Sequence, residues 1–180
     1  MIVVKVGGSL YDLPDLGARL RTFLASLSPP RLVVPGGGAT ADVVRVLHHD
    51  HGLSEIAAHW LALRACTMNA WFLRELLPTS VVVDDPRACP QLGVLDPHAF
   101  ALSDEGRDGC LPHVWTATSD SVAARVAEVA RAELVMLKSV DVSGDWEQAA
   151  REGHVDPVFP GIVARSSLRA RAVNLRTWGG

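Results

Sequence analysis

The sequence predicts an α/β fold: a three-layer sandwich in which helices cover both faces of a mostly parallel central sheet. Three observations predict it. Short β-branched runs alternate along the chain with longer segments that carry apolar residues at helical spacing. Glycine or proline ends most of these runs. No repeat, low-complexity stretch or linker divides the 180 residues, so we expect one domain over 1–180.

The first strand–helix–strand unit is the clearest part of the pattern. A β-branched run at 2–6 stops at a glycine pair, which predicts a buried strand. Apolar residues at helical spacing then predict a helix over 12–27, which Pro29 ends. A second strand is predicted at 31–34, because another β-branched run stops there at Pro35 and three glycines.

The rest of the chain continues the alternation. Helices are predicted at 41–49 and at 54–77, the second with Ser54 as its N-cap. A strand at 81–83 and a helix at 119–131 follow from the same reasoning. The remaining predictions are strands at 134–137 and 172–175, a helix at 162–168, and two weaker strand candidates at 92–95 and 114–117.

Composition limits the class of function. The formal net charge of −3 gives no basic surface for nucleic acid, and no apolar run approaches the ~20 residues of a membrane span. The first residues lack the basic start and cleavage site of a signal peptide, so we expect a strand there. Three cysteines at irregular spacing, Cys66, Cys89 and Cys110, fit neither a disulfide framework nor a zinc motif. We therefore expect free thiols and a cytoplasmic location.

Glycine clusters follow the first two strands, Gly7-Gly8-Ser9 after one and Gly36-Gly37-Gly38 after the other. Ligands of open α/β sheets bind beyond the carboxyl ends of the strands. Exposed N–H groups in such turns, next to a helix N-terminus, form a ready anion site. Two such turns favour a phosphate group held from two sides; the alternative is two tight strand-to-helix turns without a ligand.

Lysine is rare and is placed where a phosphate site would need it. The chain has only Lys5 and Lys138 among 17 basic residues, and each lies at the end of a predicted strand. Lysine is a compact charge on a flexible stem, which suits a phosphoryl group that moves during transfer. A strand residue whose stem is buried and whose charge reaches solvent is the alternative for each of them.

Two aspartates lie close to the same edge. Asp120 begins a predicted helix, where it could orient Lys5 and help to hold Mg²⁺; an ordinary dipole partner is the alternative. Asp141 follows Lys138 by three residues and could serve the nucleotide side or be a turn residue.

Competing motifs fit less well. Residues 36–41 match a dinucleotide fingerprint formally, but the acid that should end the next strand is missing, and Glu55 lies at the start of a predicted helix. The sequence contains no P-loop motif. Residues 48–51 read His-His-Asp-His, which is too closely spaced for one helical face and indicates a solvated helix end.

Four segments, in family order, resemble the motifs of the amino acid kinase superfamily, which includes acetylglutamate, aspartate and uridylate kinases. They are residues 4–10, 34–38, 118–121 and 137–144. A narrower similarity joins residues 115–121, 155–160 and 173–174 to an archaeal aspartokinase-like branch. That branch includes the aminomethylfuran phosphate kinase of methanofuran synthesis, and bacterial relatives accompany one-carbon pathways.

The resemblance implies a division of the chain into an acceptor-side half, about 1–117, and a nucleotide-side half, 118–180, reduced at 145–159. It also implies three groups of site residues. They are Lys5, Asp120 and Lys138 for catalysis; Gly7, Gly8, Ser9, Asp141 and Gly144 for the nucleotide; and Gly36, Gly37, Gly38, His59 and Asn69, with Arg64, for the acceptor.

The function implied is an ATP- and Mg²⁺-dependent kinase that transfers the γ-phosphoryl group to a small acidic acceptor, a phosphate or a carboxylate. Two alternatives stay open. The short nucleotide side allows a non-catalytic protein that binds a nucleotide or anion, and the turn at 36–41 allows a nicotinamide-dependent oxidoreductase. The predicted helix at 54–77 is apolar on more than one face, so we expect a homo-oligomer, most simply a dimer.

Overall fold

A computed structural model describes residues 1–179 of the chain. Its centre is a six-stranded sheet in the order β3-β4-β2-β1-β5-β6, and every neighbouring pair is parallel. The strands are β1 (Ile2–Val6), β2 (Arg31–Pro35), β3 (Val81–Val83), β4 (Leu92–Leu95), β5 (Glu133–Lys138) and β6 (Ala170–Asn174). The sheet is therefore wholly parallel, whereas the sequence predicted a mostly parallel one.

Seven α-helices within residues 1–179 cover the sheet on both faces, which confirms the predicted three-layer α/β sandwich. They are α1 (Leu16–Ala25), α2 (Gly38–His51), α3 (Glu55–Leu76), α4 (Pro97–Asp104), α5 (Ser119–Ala130), α6 (Trp146–Arg151) and α7 (Phe159–Arg165). None of the helices described is long and apolar enough to pass through a membrane.

Alternation along the strands determines which face each side chain reaches. Val4 and Val6 of β1 pack in one core cluster with α1 and the second half of α3. Val3 packs in the other cluster, with α5 and α7. Lys5 alternates with Val4 and Val6, so it projects toward α5. On the neighbouring strand β5, Lys138 follows Met136 of the same α5-side cluster by two residues.

Several predicted boundaries differ from the structure for local reasons. The helix predicted at 12–27 begins only at Leu16, because Pro14 disfavours a helical conformation at the residue before it. The helix predicted at 41–49 begins at Gly38, inside the glycine turn. The helix predicted at 162–168 begins at Phe159 and has Pro160 in its first turn. Proline is tolerated there because the N–H groups of a first turn have no partner within the helix.

The weak strand candidate at 114–117 is wrong. This segment forms turns, in which the Ala117 N–H donates to the Val114 carbonyl and the Trp115 N–H donates to the Glu55 carboxylate. The candidate at 92–95 is confirmed as β4.

Two short helices were not predicted. Helix α4 has Pro97 in its first turn and is capped by Asp96, which accepts from two backbone N–H groups. Helix α6 is capped by Asp145 and lies in the segment that the sequence indicated as a reduced nucleotide side.

One surface of the molecule is rich in exposed apolar side chains. On α3, Met68 and Trp71 are more than half exposed and Phe72 is 41% exposed. On the neighbouring helix α2, Val43 and Val46 are similarly exposed. So many exposed apolar side chains on two neighbouring helices indicate a surface that another protein could cover. We call these five side chains the α2–α3 apolar surface.

Candidate active site

Lys5, Asp120 and Lys138 meet at the carboxyl edge of the sheet. The two lysines lie on adjacent strands and project toward α5, whose first turn contains Asp120. The Lys5 Nζ is 2.7 Å from Asp120 Oδ1, and the Lys138 Nζ donates to Asp120 Oδ1 and Oδ2 at 2.9 and 3.0 Å. All three residues are less than 10% exposed. The structure thus brings together the three predicted catalytic residues.

The three charges strongly affect one another. Burial alone would raise the pKa of the Asp120 carboxyl, but the Lys5 and Lys138 ammonium groups outweigh it and hold the pKa below its ordinary value. Burial, together with the Lys5 charge, lowers the pKa of Lys138 to about 8. Lys138 is therefore near its titration point under mildly alkaline conditions.

The arrangement leaves Asp120 poorly suited to bind a cation. Oδ1 contacts both ammonium groups and Oδ2 accepts from one of them. Two positive charges at hydrogen-bond distance would repel Mg²⁺. In addition, the described part of the chain has no group of three His, Cys, Asp or Glu side chains that could hold a metal ion. The expectation that Asp120 also helps to hold Mg²⁺ is not supported.

The two glycine turns touch each other through their backbones. A Cβ added at Gly8 would lie 2.2 Å from the Gly38 N and 2.5 Å from the Gly38 Cα, and one added at Gly36 would lie 2.5 Å from the Gly8 N. Gly38 itself has φ +54°, a left-handed conformation that favours glycine. No residue with a side chain fits Gly8 or Gly36 without moving backbone. The turns therefore form one cradle, next to the N-terminus of α2.

Side chains behind the second turn fix its carbonyl groups. The Asn69 Nδ2 lies 2.8 Å from the Gly36 carbonyl oxygen and 2.7 Å from that of Gly37. The Tyr11 hydroxyl donates to the same Gly36 oxygen at 3.0 Å, and burial raises the pKa of that hydroxyl. Asn69 was predicted to line the acceptor side. In the structure it is buried beneath the turn, where it holds the loop in shape.

A cleft of about 240 Å³ opens beside the cradle. Gly8, Ser9, Gly37 and Gly38 line one end of it, so the predicted loops share a single cavity. His59 also lines the cleft, whereas Arg64 of the same helix does not and is exposed. The remaining walls come from α2, α3, the 114–119 segment and α5.

The far wall of the cleft contains Arg45 and Trp115, which the sequence analysis missed. The Arg45 guanidinium carbon is 5.5 Å from the centre of the Trp115 ring, a cation–π contact, and Arg45 also pairs with Asp42. The His48 ring packs edge-on against Trp115 at 5.5 Å. Arginine is common in this chain, so no sequence signal marked Arg45. Trp115 begins the segment 115–121 that resembles the archaeal aspartokinase-like branch, but no role in binding was predicted for it.

The His59 ring contacts two other aromatic rings. It is 5.1 Å from the ring of His113 and 5.7 Å from that of Trp60. Burial and the neighbouring His113 lower the pKa of His59, so this side chain is neutral at pH 7. A neutral imidazole can hydrogen-bond to a ligand in the cleft without adding charge.

The residues predicted for the nucleotide lie in two places. Ser9 is in the cradle, and its hydroxyl is 2.9 Å from the hydroxyl of Ser139, next to Lys138. Gly7, at the end of β1, is bound to the neighbouring strand β5, because its N–H donates to the Leu137 carbonyl. Asp141 and Gly144 are exposed on the loop after β5 and do not line the cleft; Asp141 accepts from Asn174 at 3.1 Å.

Two competing motifs receive no support. Helix α2, which begins in the second glycine turn, is followed directly by α3, so the strand and terminal acid of a dinucleotide fold are absent from this part of the described structure. The His-rich end of α2 does not form a metal site: His48 packs on Trp115, and His49 pairs with Asp50.

The sequence and the structure of the chain were compared with those of known proteins. No protein-family model matches the chain. The (5-(aminomethyl)furan-3-yl)methyl phosphate kinase of Methanocaldococcus jannaschii is 26% identical over 196 residues, covering 98% of this chain and 88% of that protein.

Solved kinase structures share the fold. Uridylate kinase from Archaeoglobus fulgidus superposes with a TM-score of 0.67 at 18% identity, over 96% of this chain and 89% of that one. UMP kinase from Ureaplasma parvum gives 0.65 at 14% identity, over 98% and 90%. Aspartate kinase from Clostridium acetobutylicum gives 0.62 at 9% identity, over 98% of this chain but 61% of its own.

All four proteins are kinases, and the sequence relative extends over nearly the whole chain. The solved structures share the fold that, in this chain, positions the lysines and glycine turns at one edge of the sheet. The chain is therefore similar in sequence to a small-molecule kinase and shares the fold of uridylate and aspartate kinases, which supports the resemblance to the amino acid kinase superfamily.

Proposed function

We propose that the chain is an ATP- and Mg²⁺-dependent kinase that transfers the γ-phosphoryl group to a small acidic acceptor. The observation that carries the proposal is the meeting of two buried lysines, oriented by one carboxylate, with two glycine turns in backbone contact. Phosphoryl transfer needs mainly positioning and neutralisation of charge, which these groups can supply.

In the proposed reaction, the bond from the γ-phosphorus to the β–γ bridging oxygen breaks and a bond to an acceptor oxygen forms. ADP takes the electron pair of the broken bond. A phosphate or carboxylate acceptor is already deprotonated near pH 7, so no strong base is required. Backbone N–H groups of the cradle bind phosphate oxygens, and Lys5 and Lys138 stabilise the negative charge of the transferring group.

In this proposal, each half of the chain binds a different substrate. Residues 1–117, with the cleft and Gly36–Gly38, hold the acceptor. Residues 118–180, with Asp141 and Gly144 on the loop after β5, hold ATP together with Gly7, Gly8 and Ser9. Mg²⁺ would neutralise charge on the ATP phosphates, and since the described residues offer it no dedicated cage, we assign it no protein ligand.

The cleft supports an acceptor with a flat ring and an anionic group. Trp115 offers an aromatic ring, Arg45 lies over that ring and offers a guanidinium, and the glycine cradle offers N–H groups at the other end. The relative from Methanocaldococcus jannaschii is named for such a compound, an aminomethylfuran phosphate. We propose a furan-type monophosphate as the first candidate acceptor, which would connect the chain with one-carbon cofactor synthesis.

Two further features of the protein are proposals. The three cysteines are free thiols, which fits a reducing compartment, the cytoplasm. The α2–α3 apolar surface supports a homodimer.

Lys5→Met keeps the side-chain volume and removes the charge that orients the phosphoryl group. We expect turnover to fall by about 10³-fold while the fold is retained, because Asp120 keeps Lys138 as its partner. ADP release measures turnover, and far-UV circular dichroism checks the fold. Arg169→Met, which removes an exposed cation, is the control. Wild-type turnover in Lys5→Met would refute the kinase proposal; ATP binding without ADP release in the wild-type chain would favour the non-catalytic alternative.

Gly8→Ala tests the cradle. The added Cβ would meet the Gly38 backbone at 2.2 Å, so the two turns must move apart. We expect ATP affinity, measured by calorimetry, to fall at least about tenfold, with a loss of roughly 2 kcal/mol in the free energy of unfolding. Gly161→Ala, whose Cβ meets nothing within 4 Å, should leave both unchanged. Unaltered ATP affinity in a folded Gly8→Ala protein would show that the cradle does not bind ATP.

Trp115→Ala tests the far wall of the cleft. Loss of a stacking partner should raise the KM for furfuryl phosphate by about tenfold and change that for glycerol 3-phosphate by less than about twofold. Trp115→Phe, which keeps a ring, should retain most of the preference. Equal effects on the two phosphates would mean that Trp115 does not select a flat acceptor.

Light scattering tests the dimer. We expect twice the mass of 19.3 kDa for the wild-type chain. Trp71→Glu places a charge in the α2–α3 apolar surface and should give the monomer. A wild-type monomer at micromolar concentration would contradict the proposed dimer.

A further inference from the structure

Asp156 lies in the connection between α6 and α7 and is only 6% exposed. Each of its carboxylate oxygens accepts three hydrogen bonds. Oδ2 accepts from the Thr118 N–H and hydroxyl at 2.9 and 2.7 Å and from the Ser121 N–H at 2.9 Å. Oδ1 accepts from the Ser121 hydroxyl and from the N–H groups of Val158 and Phe159 at 3.1 and 3.0 Å. Asp156 therefore ties the first turn of α5 to the first turn of α7.

The hydrogen bonds to Asp156 come from residues on either side of Asp120, a residue of the candidate active site. Asp120 lies between Thr118 and Ser121 in the chain, so the groups that hold Asp156 also fix the turn from which the Asp120 carboxylate reaches the lysines. Two residues before Asp156, the His154 carbonyl accepts from the Lys138 Nζ at 2.6 Å. The short segment 154–156 thus holds both Asp120, through its helix turn, and Lys138 directly.

Charge balance gives Asp156 a second role. The buried centre contains two ammonium groups but only one carboxylate, that of Asp120, in direct contact with them. An unbalanced buried cation is costly, because the protein interior solvates it less well than water does. Asp156 is a second buried carboxylate, two residues after the His154 carbonyl that accepts from Lys138, and its negative charge favours the charged form of Lys138. Two cations are then matched by two anions.

We propose that Asp156 is a positioning residue of the phosphoryl-transfer site, which holds the Asp120 turn and balances the charge of Lys138 without touching either substrate. The proposal rests on the kinase function proposed above. Lys138 faces Lys5 from β1, Asp120 from α5, and the His154 carbonyl and Asp156 from the segment before α7. A merely structural tie would affect stability without altering the state of Lys138.

The chain offers a matched control for that distinction. Asp104 is also buried, at 3% exposure, and also tethers α5, through two hydrogen bonds from Arg125 at 2.8 and 2.9 Å. Asp104 binds the middle of α5, at Arg125, rather than its first turn. Asp104→Asn and Asp156→Asn each remove one buried carboxylate charge bound to α5, but only Asp156 is expected to act on Lys138.

The experiment uses the fact that the chain has only two lysines. A protein labelled with ¹³C-lysine gives two side-chain signals, which the Lys138→Arg variant assigns. Titration of the ¹³Cε shifts in the wild-type chain should give Lys138 a pKa of about 8. In Asp156→Asn we expect that pKa to fall by roughly half a unit or more, because an opposite charge is removed. In Asp104→Asn it should stay at the wild-type value.

Turnover gives the second readout. With furfuryl phosphate as acceptor, we expect kcat to fall about tenfold or more in Asp156→Asn, at an ATP KM near that of the wild type, because Asp120 and Lys138 lose their alignment. A folded Asp156→Asn protein with an unchanged Lys138 titration, or with wild-type kcat, would overturn the proposal. If the wild-type chain transfers no phosphoryl group, the kinase function fails, while the lysine titration still decides whether Asp156 acts on Lys138.

Ser121→Ala covers the case in which Asp156→Asn does not fold. It removes one hydroxyl donor from Asp156 and keeps every charge. We expect the Lys138 signal to move and kcat to fall about threefold. If neither changes, the proposal is wrong.

Discussion

The structure depends on two ammonium groups sharing one carboxylate in a site from which water is largely excluded. Such an arrangement is unfavourable by itself, because each buried charge loses its hydration. It persists because Asp120 contacts both lysines, the His154 carbonyl accepts a hydrogen bond from Lys138, and helix α5 places its N-terminal turn at the sheet edge. In the proposed function, the Lys5 ammonium, which Asp120 contacts through one oxygen, would also bind a phosphate oxygen.

The glycine turns complement the lysines by removing side chains where backbone must approach backbone. Contact between Gly8 and the Gly36–Gly38 turn joins the ends of two adjacent strands into one rigid surface. Asn69 and Tyr11 hold the carbonyl groups of this surface from behind. In the proposed function, a surface held in shape in this way would need little further ordering when an anion binds.

Much of this could be predicted from the sequence, because parallel strands all end at one edge of the sheet. That rule was enough to bring together Lys5, Lys138 and Asp120 and to join the glycine turns. The rule says nothing about segments between elements. The run at 114–117 has the composition of a strand, but whether such a run pairs depends on a neighbouring strand that the sequence does not reveal. No role was predicted for Asp156 for the same reason, since four of its six donors come from Thr118 and Ser121, more than 30 residues away in the sequence.

Helical geometry explains the mixed outcome on α3. His59 and Asn69 are ten residues apart, about 2.8 turns, so they cannot share one face. His59 reaches the cleft and Asn69 reaches the underside of the glycine turn. Spacing could exclude a common direction but could not say which residue would meet the ligand.

The scarcity of lysine limits how this protein can be modified at amine groups. Both lysines are buried at the floor of the site, and the other basic side chains are arginines. Acetylating or ubiquitin-type conjugating enzymes, which need an accessible ε-amine, find none on the folded surface. Amine-directed reagents would thus reach the side chains of Lys5 and Lys138 only when the fold opens, and any label found on them would record that opening.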